Sequence, residues 1–146
     1  MARKFAQGKF QPLHPEKYVG KKTPTYRSGW ELTFMQFCDN HPGIIQWASE
    51  SINIPYKNPL TGRNTIYVPD FFIVYQDRRG KTRAELIEVK PRSQTTMENA
   101  RSTKDKAAVA LNYAKWEAAA AWCKQNGITF RVITESDIYH QGSKRR

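Results

Sequence analysis

Two apolar segments joined by a short polar turn constrain the fold of this chain more than any other feature. The first segment, residues 66–75, is apolar on both faces, which is typical of a strand in the middle of a sheet. The second segment, residues 82–90, follows a turn at residues 77–80 that ends in glycine. These segments predict an antiparallel β-hairpin, and Pro69 within the first one predicts a bulge or a bend.

Three charged residues stand on this hairpin among apolar neighbours. Asp70 belongs to the first strand, and Glu88 and Lys90 belong to the second. Because side chains alternate between the two faces of a strand, Glu88 and Lys90 are predicted to point the same way. Position 79 lies midway between 70 and 88 and falls inside the turn, so a simple register places Asp70 opposite Glu88, with Cβ atoms about 5 Å apart.

Two carboxylates at this distance repel each other in an apolar sheet unless a cation joins them. Mg²⁺ would do so, because it prefers one or two carboxylates together with water and phosphate oxygens. Lys90 would then hold the attacking water or stabilise negative charge on the phosphate. A purely structural alternative stays open, in which Asp70 is a bend residue and Glu88 and Lys90 form an exposed pair on the strand.

Two helices are predicted, one on each side of the strand region. A Ser-x-x-Glu capping box at residues 28–31 predicts a helix that begins at its serine and ends before the Asn-His-Pro-Gly segment at 40–43. A second helix is predicted from Ser102 or Thr103 to about Gln125, where Asn-Gly follows. Its predicted core stripe consists of Leu111, Ala114, Ala118 and Trp122.

Short strands complete the expected order of elements. Residues 44–50 and 51–56 precede the hairpin, and residues 128–134 follow the second helix. The order is arm, α, β, β, β, β, α, β, tail, which predicts an α/β sheet with helices packed on it. Glu31 is open to two interpretations: it completes the capping box, an effect of ~1 kcal/mol, or it brings a third acid to the hairpin.

The excess of basic side chains is concentrated at the two ends of the chain. The 146 residues include 24 Lys and Arg against 13 Asp and Glu, a net charge of +11. This distribution predicts a basic N-terminal arm (1–27), a folded domain (28–140) and a basic tail (141–146). Phosphate-backbone contact is the expected use of such arms, and a small basic protein held within a larger assembly is the alternative.

Composition excludes several other classes of protein. No apolar run reaches the roughly 18 residues of a membrane span, and the basic N-terminus lacks the apolar stretch of a secretory signal. Cys38 and Cys123 are too few for a disulfide framework or a zinc knuckle, so we expect buried thiols in a reducing compartment. The sequence has no glycine-rich phosphate loop, which argues against an NTPase. It has no Ser-His-Asp motif, which argues against a serine hydrolase.

Several short segments carry a resemblance to a known family of nucleases. The Pro69-Asp70 pair followed by Glu88-Val89-Lys90 is similar to the signature of the PD-(D/E)xK nuclease superfamily. The sequence around these motifs resembles the TnsA-like branch of the superfamily and the head-completion nucleases of contractile-tailed phages. The segments that carry this resemblance are Tyr-Arg-Ser-Gly-Trp-Glu (26–31), Ile-Pro-Tyr (54–56), Tyr-Val-Pro-Asp-Phe (67–71) and Ile-Glu-Val-Lys-Pro (87–91).

The resemblance implies a restriction-endonuclease-like αβββαβ core, a mixed sheet flanked by helices, although the strand-like run at 44–50 is an addition to it. It also implies a metal site in which Asp70 and Glu88 bind Mg²⁺, for which Mn²⁺ could substitute. Glu31 would ligate the metal or orient water, Lys90 would assist the water, and the Val89 carbonyl would be an extra ligand.

DNA is the expected partner and substrate of a protein with these features. The candidates for DNA contact are Arg27, Lys21, Lys22, Lys104 and Lys106, with Lys115 and Asn112 also on the second helix; a solvated helix face is the alternative for the helical ones. The resemblance implies action on phage DNA during head completion, in the host cytoplasm or the virion head, beside phage head or portal proteins. A homodimer stays open. The alternatives are a DNA-end-binding head protein with a vestigial site and a TnsA-like transposase or resolvase subunit.

Overall fold

The structure describes residues 7–137 of the chain in this computed structural model. They form eight strands and two long helices, and residues 135–137 are also helical. Single 3₁₀ turns also occur at Pro15–Lys17 and Arg92–Gln94. The strands and helices are β1 (Gly8–Lys9), β2 (Thr25–Tyr26), α1 (Gly29–Asn40), β3 (Ile44–Ser49), β4 (Ile54–Lys57), β5 (Asn64–Tyr67), β6 (Phe71–Gln76), β7 (Thr82–Val89), α2 (Thr103–Gln125) and β8 (Thr129–Ile133).

The main sheet has four strands in the order β3-β6-β7-β8. The first three are antiparallel neighbours, whereas β8 runs parallel to β7 after the α2 crossover. The predicted mixed α/β sheet flanked by helices is therefore confirmed. In the central hairpin Phe71 pairs with Ile87, so the register runs on to place Asp70 beside Glu88, as the turn position indicated.

The single central strand predicted over residues 66–75 is wrong. The chain forms two strands there, and they belong to different sheets: β5 pairs with β4 in a two-stranded sheet, and β6 pairs with β3 and β7. Pro69 lies at the break and is fully buried. Because proline has no N–H to donate to a ladder, pairing stops there and the chain moves from one sheet to the other at Asp70.

Side-chain caps fix both helices where the sequence predicted them. The Ser28 Oγ accepts from the Glu31 N–H at 3.1 Å, and the Ser102 Oγ accepts from the Asp105 N–H at 3.1 Å. Past the end of α2, Gly127 has a φ of 70°, the left-handed conformation that glycine adopts at low cost.

The core stripe predicted for α2 is displaced by one residue. The buried side chains are Val109, Asn112, Ala119 and Cys123, and the predicted residues flank them at intermediate exposure. The run of alanines at 118–121 presents apolar groups on every side of the helix. The hydrophobic periodicity therefore indicated a helix, but it could not define which of two adjacent rows of side chains faces the sheet.

The main sheet separates two hydrophobic clusters. One lies under α1 and is centred on the fully buried Trp47, with Phe71, Ile87 and Val89 from the sheet. The other lies under α2 and includes Leu86. This alternation along β7 places Glu88 and Lys90 on the α2 side of the sheet. The two cysteines are free and buried, as expected.

The N-terminal segment packs against the body of the protein. Residues 8–26, which we call the N-terminal strap, place the rings of Phe10 and Tyr18 edge-on to Trp47, with centroids 5.9 and 4.7 Å away. The Val19 N–H donates to the Trp47 carbonyl at 2.9 Å. The domain boundary at residue 27 stays a prediction, since strap and body are in contact. The predicted tail and residues 1–6 lie outside the described residues, and neither helix in the described range is long and apolar enough to cross a membrane.

Asp39 is the polar anchor of the strap. It is 1% exposed, and its two carboxylate oxygens accept from the Leu13 and His14 N–H groups at 2.8 and 3.0 Å. The Lys17 ammonium donates to the carbonyls of Asp39 and His41 at 3.0 and 2.9 Å. A buried carboxylate that accepts backbone hydrogen bonds is a strong contact, so we expect the strap to depend on it.

Asp39→Ala is expected to lower the free energy of unfolding by about 2 kcal/mol, because it removes both charge-assisted hydrogen bonds at once. Chemical denaturation measures this loss, and limited proteolysis should cut the strap faster in the variant. Glu117→Ala removes an exposed carboxylate on α2 and serves as the matched control, with a change below about 0.5 kcal/mol. Equal stability of the two variants would contradict the role of Asp39.

Candidate active site

Asp70 is held at the point where the chain passes between the two sheets. Its Oδ2 accepts from the Val89 N–H at 2.7 Å, and its backbone carbonyl accepts from the Glu50 N–H at 2.9 Å. These bonds come from the strands on either side of β6, so the position of Asp70 is fixed from both directions. The recorded hydrogen bond uses Oδ2, which leaves Oδ1 available as a ligand.

Glu88 lies at the centre of the site and is 4% exposed. Its Oε2 is 3.6 Å from the Lys90 ammonium, which is partly exposed. Within the described residues, its Oε1 is buried and makes no hydrogen bond of regular geometry, although the Tyr67 hydroxyl is close enough to lower the pKa of Glu88 by hydrogen bonding. A buried carboxylate with so little compensation is costly, so this side chain marks a place where a cation would be stabilised.

Glu31 joins the site from the first turn of α1. It closes the helix cap, since its Oε1 accepts from the Arg27 N–H at 3.2 Å and its Oε2 lies 3.4 Å from the Ser28 Oγ. It is also close enough to interact electrostatically with Asp70 and Lys90. The capping interpretation and the third-acid interpretation are therefore compatible in this structure.

The three acids share an environment that favours their neutral forms. Burial raises the pKa of Asp70, and the negative charges of Glu88 and Glu31 raise it further against the opposing Val89 N–H and Lys90 ammonium. Burial also raises the pKa of Glu88, although Lys90 opposes the effect. Burial likewise raises the pKa of Glu31. Without a cation, the pair Asp70 and Glu88 tends to retain a proton.

These residues fit a magnesium ion better than a closed metal cage. Within residues 7–137, no three His, Cys, Asp or Glu side chains form a ready-made metal-binding group. Asp70 and Glu88 offer two carboxylates with few hydrogen bonds, and Mg²⁺ is commonly held by one or two carboxylates while it keeps several waters. The donor set is thus suitable for Mg²⁺ and unsuitable for a structural zinc ion.

The Val89 carbonyl has a geometric reason to be available. The Val89 N–H points toward β6, where it meets Asp70. The N–H and C=O of one strand residue point the same way, so the carbonyl also faces the strand break. Pro69 would be its partner in a continued ladder, but proline has no N–H to donate. Its role as a metal ligand stays a prediction.

The predicted DNA-contact residues divide into two groups. Arg27 is beside the site but forms an ion pair with Glu50. The exposed Lys21 and Lys22 line a cleft of about 370 Å³ together with Glu50 and its neighbours Ser49, Ser51 and Asn53.

Lys104 and Lys106 are exposed in the first turn of α2. They lie at least nine residues before Lys115, and this separation corresponds to about 14 Å along the helix axis. They therefore lie more than two helical turns from Lys115, which interacts electrostatically with the acids.

The structure adds residues that the sequence interpretation did not assign to the site. Tyr67 lies beside Glu88 and Trp116 beside Tyr67, and their buried polar atoms, Oη and Nε1, make no hydrogen bond of regular geometry in the described range, although Tyr67 is close enough for hydrogen bonding with both residues. Glu50 adopts a φ of 50°, uncommon for a residue with a side chain, next to Asp70. Lys115 approaches from α2. Periodicity alone could not have turned it toward the sheet, because the predicted stripe of α2 was one residue away from the buried one.

Comparison with known proteins assigns the family. The family model described as "TnsA-like endonuclease N terminal" matches residues 41–135. The chain belongs to the TnsA-like endonuclease family. A curated relative, the head completion nuclease of Enterobacteria phage T4, is 33% identical over 148 aligned positions, which cover 94% of this chain and 96% of the relative.

Membership makes this TnsA-like protein a nuclease with DNA as its substrate, and it confirms the family predicted from the sequence. The matched range includes Asp70, Glu88 and Lys90 but begins after Glu31. For Glu31, therefore, the geometry of α1 is the argument for a place in the site.

The metal-free protein is expected to lose stability as the pH rises. The pKa values of Asp70, Glu88 and Glu31 are higher in the folded protein than in the unfolded chain, so the folded state binds more protons. Raising the pH from about 4 through the raised pKa values therefore favours unfolding. Mg²⁺ bound by the ionised acids should offset this loss, so the stabilisation it gives should increase with pH.

Calorimetry in Mg²⁺ and in EDTA across about pH 5 to 8 measures both effects. Asp70→Asn keeps the acceptor for the Val89 N–H and removes one charge, so it should flatten the pH dependence and reduce the Mg²⁺ effect. Identical profiles for the wild type and Asp70→Asn would contradict the assignment of these acids to one site.

Proposed function

We propose that the protein is a Mg²⁺-dependent endodeoxyribonuclease in which Asp70 and Glu88 hold the ion. The observation that carries the proposal is a pair of buried acids with little compensating charge: the Asp70 carboxylate is fixed by the Val89 N–H, and Glu88, 4% exposed, has the Lys90 ammonium 3.6 Å away. The Val89 carbonyl is the additional oxygen ligand. Mn²⁺ can substitute, since the ligands are oxygens that accept either ion.

The residues of the chain provide the remaining parts of phosphodiester hydrolysis. A bound Mg²⁺ supplies charge neutralisation at the phosphoryl oxygens and lowers the pKa of a coordinated water. Lys90 lies 3.6 Å from Glu88, where its ammonium can orient the attacking water or stabilise the negative charge that develops on the phosphate. Glu31 faces this site from α1 and orients the water, while Asp70 and Glu88 stay ionised.

DNA reaches the site over basic surface in this proposal. Lys21 and Lys22 are exposed on the strap, and Lys104 and Lys106 are exposed at the start of α2. Such lysines bind phosphates without reading sequence and make affinity dependent on salt. Arg27 can contact the scissile phosphate when it exchanges its Glu50 partner for DNA.

The biological setting that we propose is phage head completion. The support is the name of the T4 relative, whose length this chain covers almost completely. Action on packaged or packaging phage DNA, in the host cytoplasm or in the virion head, would bring the protein beside head or portal proteins. Co-sedimentation with DNA-filled heads tests this setting: retention by full heads supports it, and no retention by full or empty heads contradicts it.

Asp70→Asn and Lys90→Met are each expected to lower the rate of plasmid cleavage in Mg²⁺ by roughly 100-fold or more, because the first removes a charged ligand of the ion and the second removes the ammonium that acts on the water or the phosphate. Both variants should remain folded, and Asp70→Asn should be at least as stable as the wild type, since it relieves repulsion. Matched controls are Glu117→Gln and Lys81→Met, which remove an exposed acid and an exposed lysine and should leave the rate unchanged.

Agarose electrophoresis of supercoiled plasmid in Mg²⁺ and in EDTA measures the rate. Full activity of either site variant would remove the assignment. Salt-sensitive DNA binding without cleavage by the wild type would favour the DNA-end-binding protein with a vestigial site. Cleavage that requires an added partner subunit would favour a role like that of a transposase or resolvase subunit.

A further inference from the structure

Lys115 occupies the face of α2 that is turned toward the main sheet. It lies three residues after the buried Asn112 and four before the buried Ala119, a spacing that puts all three on one side of the helix. Its side chain is partly buried, and its ammonium is 5.6 Å from the centre of the Tyr67 ring. The other lysines of α2, at 104, 106 and 124, are exposed.

This position brings Lys115 to the same face of the sheet as the acids. Glu88 lies on the α2 side of β7, and Lys115 interacts electrostatically with Glu88, Asp70 and Lys90. Burial and the Lys90 charge lower the pKa of Lys115, although both acids oppose the effect. The site therefore has one lysine from β7 and a second from α2.

The charge of Lys115 is not used by a close carboxylate. Lys90 lies within 4 Å of Glu88, whereas no ion pair of that length involves Lys115 within residues 7–137. The Tyr67 hydroxyl shares hydrogen bonding with Glu88 and Trp116, so these three groups are coupled to one another, whereas the Lys115 ammonium lies near the ring of Tyr67. A partly buried ammonium without a close counter-charge is suited to an anionic ligand.

The charge count of the site identifies the kind of ligand. With Glu31, Asp70 and Glu88 ionised, the three acids and the two lysines sum to one negative charge. A divalent ion converts this to one positive charge, which a phosphodiester group neutralises. Without Lys115 the loaded site would already be neutral before DNA enters, so the second lysine gives the site its attraction for a phosphate.

We propose that Lys115 is a second cationic residue of the cleavage site and contacts a phosphate of the DNA strand that is cut. This inference rests on the proposed nuclease function, and it separates Lys115 from Lys104 and Lys106, which lie far along the helix. Tyr67 supports the ammonium through its ring face, an attraction that is strongest where water is excluded. A purely structural role for Lys115, as a distant counter-charge to Glu88, is the alternative.

The experiment compares Lys115→Met with Lys124→Met, a change of the same chemistry at an exposed position of α2. The first measurement is the affinity for a cleavage-resistant phosphorothioate duplex at a fixed low Mg²⁺ concentration and several salt concentrations, so that the site is loaded but no product forms. Loss of one phosphate contact should reduce the slope of log affinity against log salt by about 0.9 for Lys115→Met. Lys124→Met should keep the wild-type slope.

The second measurement is the single-turnover cleavage rate in Mg²⁺ at saturating protein, which reports events after binding. Lys115→Met should reduce this rate by roughly 10- to 100-fold, and Lys124→Met should not change it. Lys115→Arg keeps the charge and should retain the salt slope and most of the rate. It also supplies a folded comparison if the methionine variant is unstable, with thermal unfolding as the check on both.

The proposal requires that Lys115→Met show both the smaller salt slope and the lower single-turnover rate. An unchanged slope overturns the phosphate contact, and an unchanged rate overturns the place of Lys115 in the cleavage site. Equal loss in Lys115→Arg and Lys115→Met indicates a structural role and overturns the inference as well. If the wild type binds DNA but does not cut it, the proposed function fails, and the salt slope then decides on Lys115 by itself.

Discussion

The hydrogen bond from the Val89 N–H to the Asp70 carboxylate connects the fold of this protein to its chemistry. It takes the place of a ladder bond at the end of the β6–β7 hairpin, where Pro69 interrupts regular pairing. The interruption lets the chain leave one sheet for another, and it also turns an acid toward Glu88. A single local feature therefore ends a strand, joins two sheets and positions the first ligand of the proposed metal site.

The site is built at some expense to the stability of the protein. Three acids lie close together in a largely apolar setting, and the burial that raises their pKa values also makes their ionised forms unfavourable. Lys90 offsets only part of this, at 3.6 Å from Glu88. A divalent ion and a phosphate would relieve this unfavourable charge. Such an arrangement is expected of a site that has evolved to bind both.

The local features of the fold were predictable because short-range rules govern them. The hairpin register follows from the turn position, since 79 is the midpoint of 70 and 88, and the helix starts follow from serine caps at 28 and 102. Family resemblance in the same segments indicated the acids and Lys90. The structure brings Asp70 and Lys90 to Glu88, as the register predicted.

The remaining features depend on packing between distant parts of the chain. Pro69 predicted a bend, but no local rule shows that the strands before and after it join different sheets. The one-residue displacement along α2 is decided by contacts with β4 and β8 across an alanine-rich surface. Lys115 was predicted only as one of several candidates for DNA contact on the helix, because nothing but the phase of α2 brings it to the face that carries Glu88.

The N-terminal strap is a basic segment that is held in a fixed position on the protein. Arg27, at its end, is paired with Glu50, and the Glu50 N–H is bonded to the Asp70 carbonyl. Because Asp39 fixes the other part of the strap to α1, the basic residues between these points have defined positions relative to the acids. A phosphate bound there would hold the duplex in a fixed relation to Asp70, whereas a free arm would only raise the local concentration of DNA.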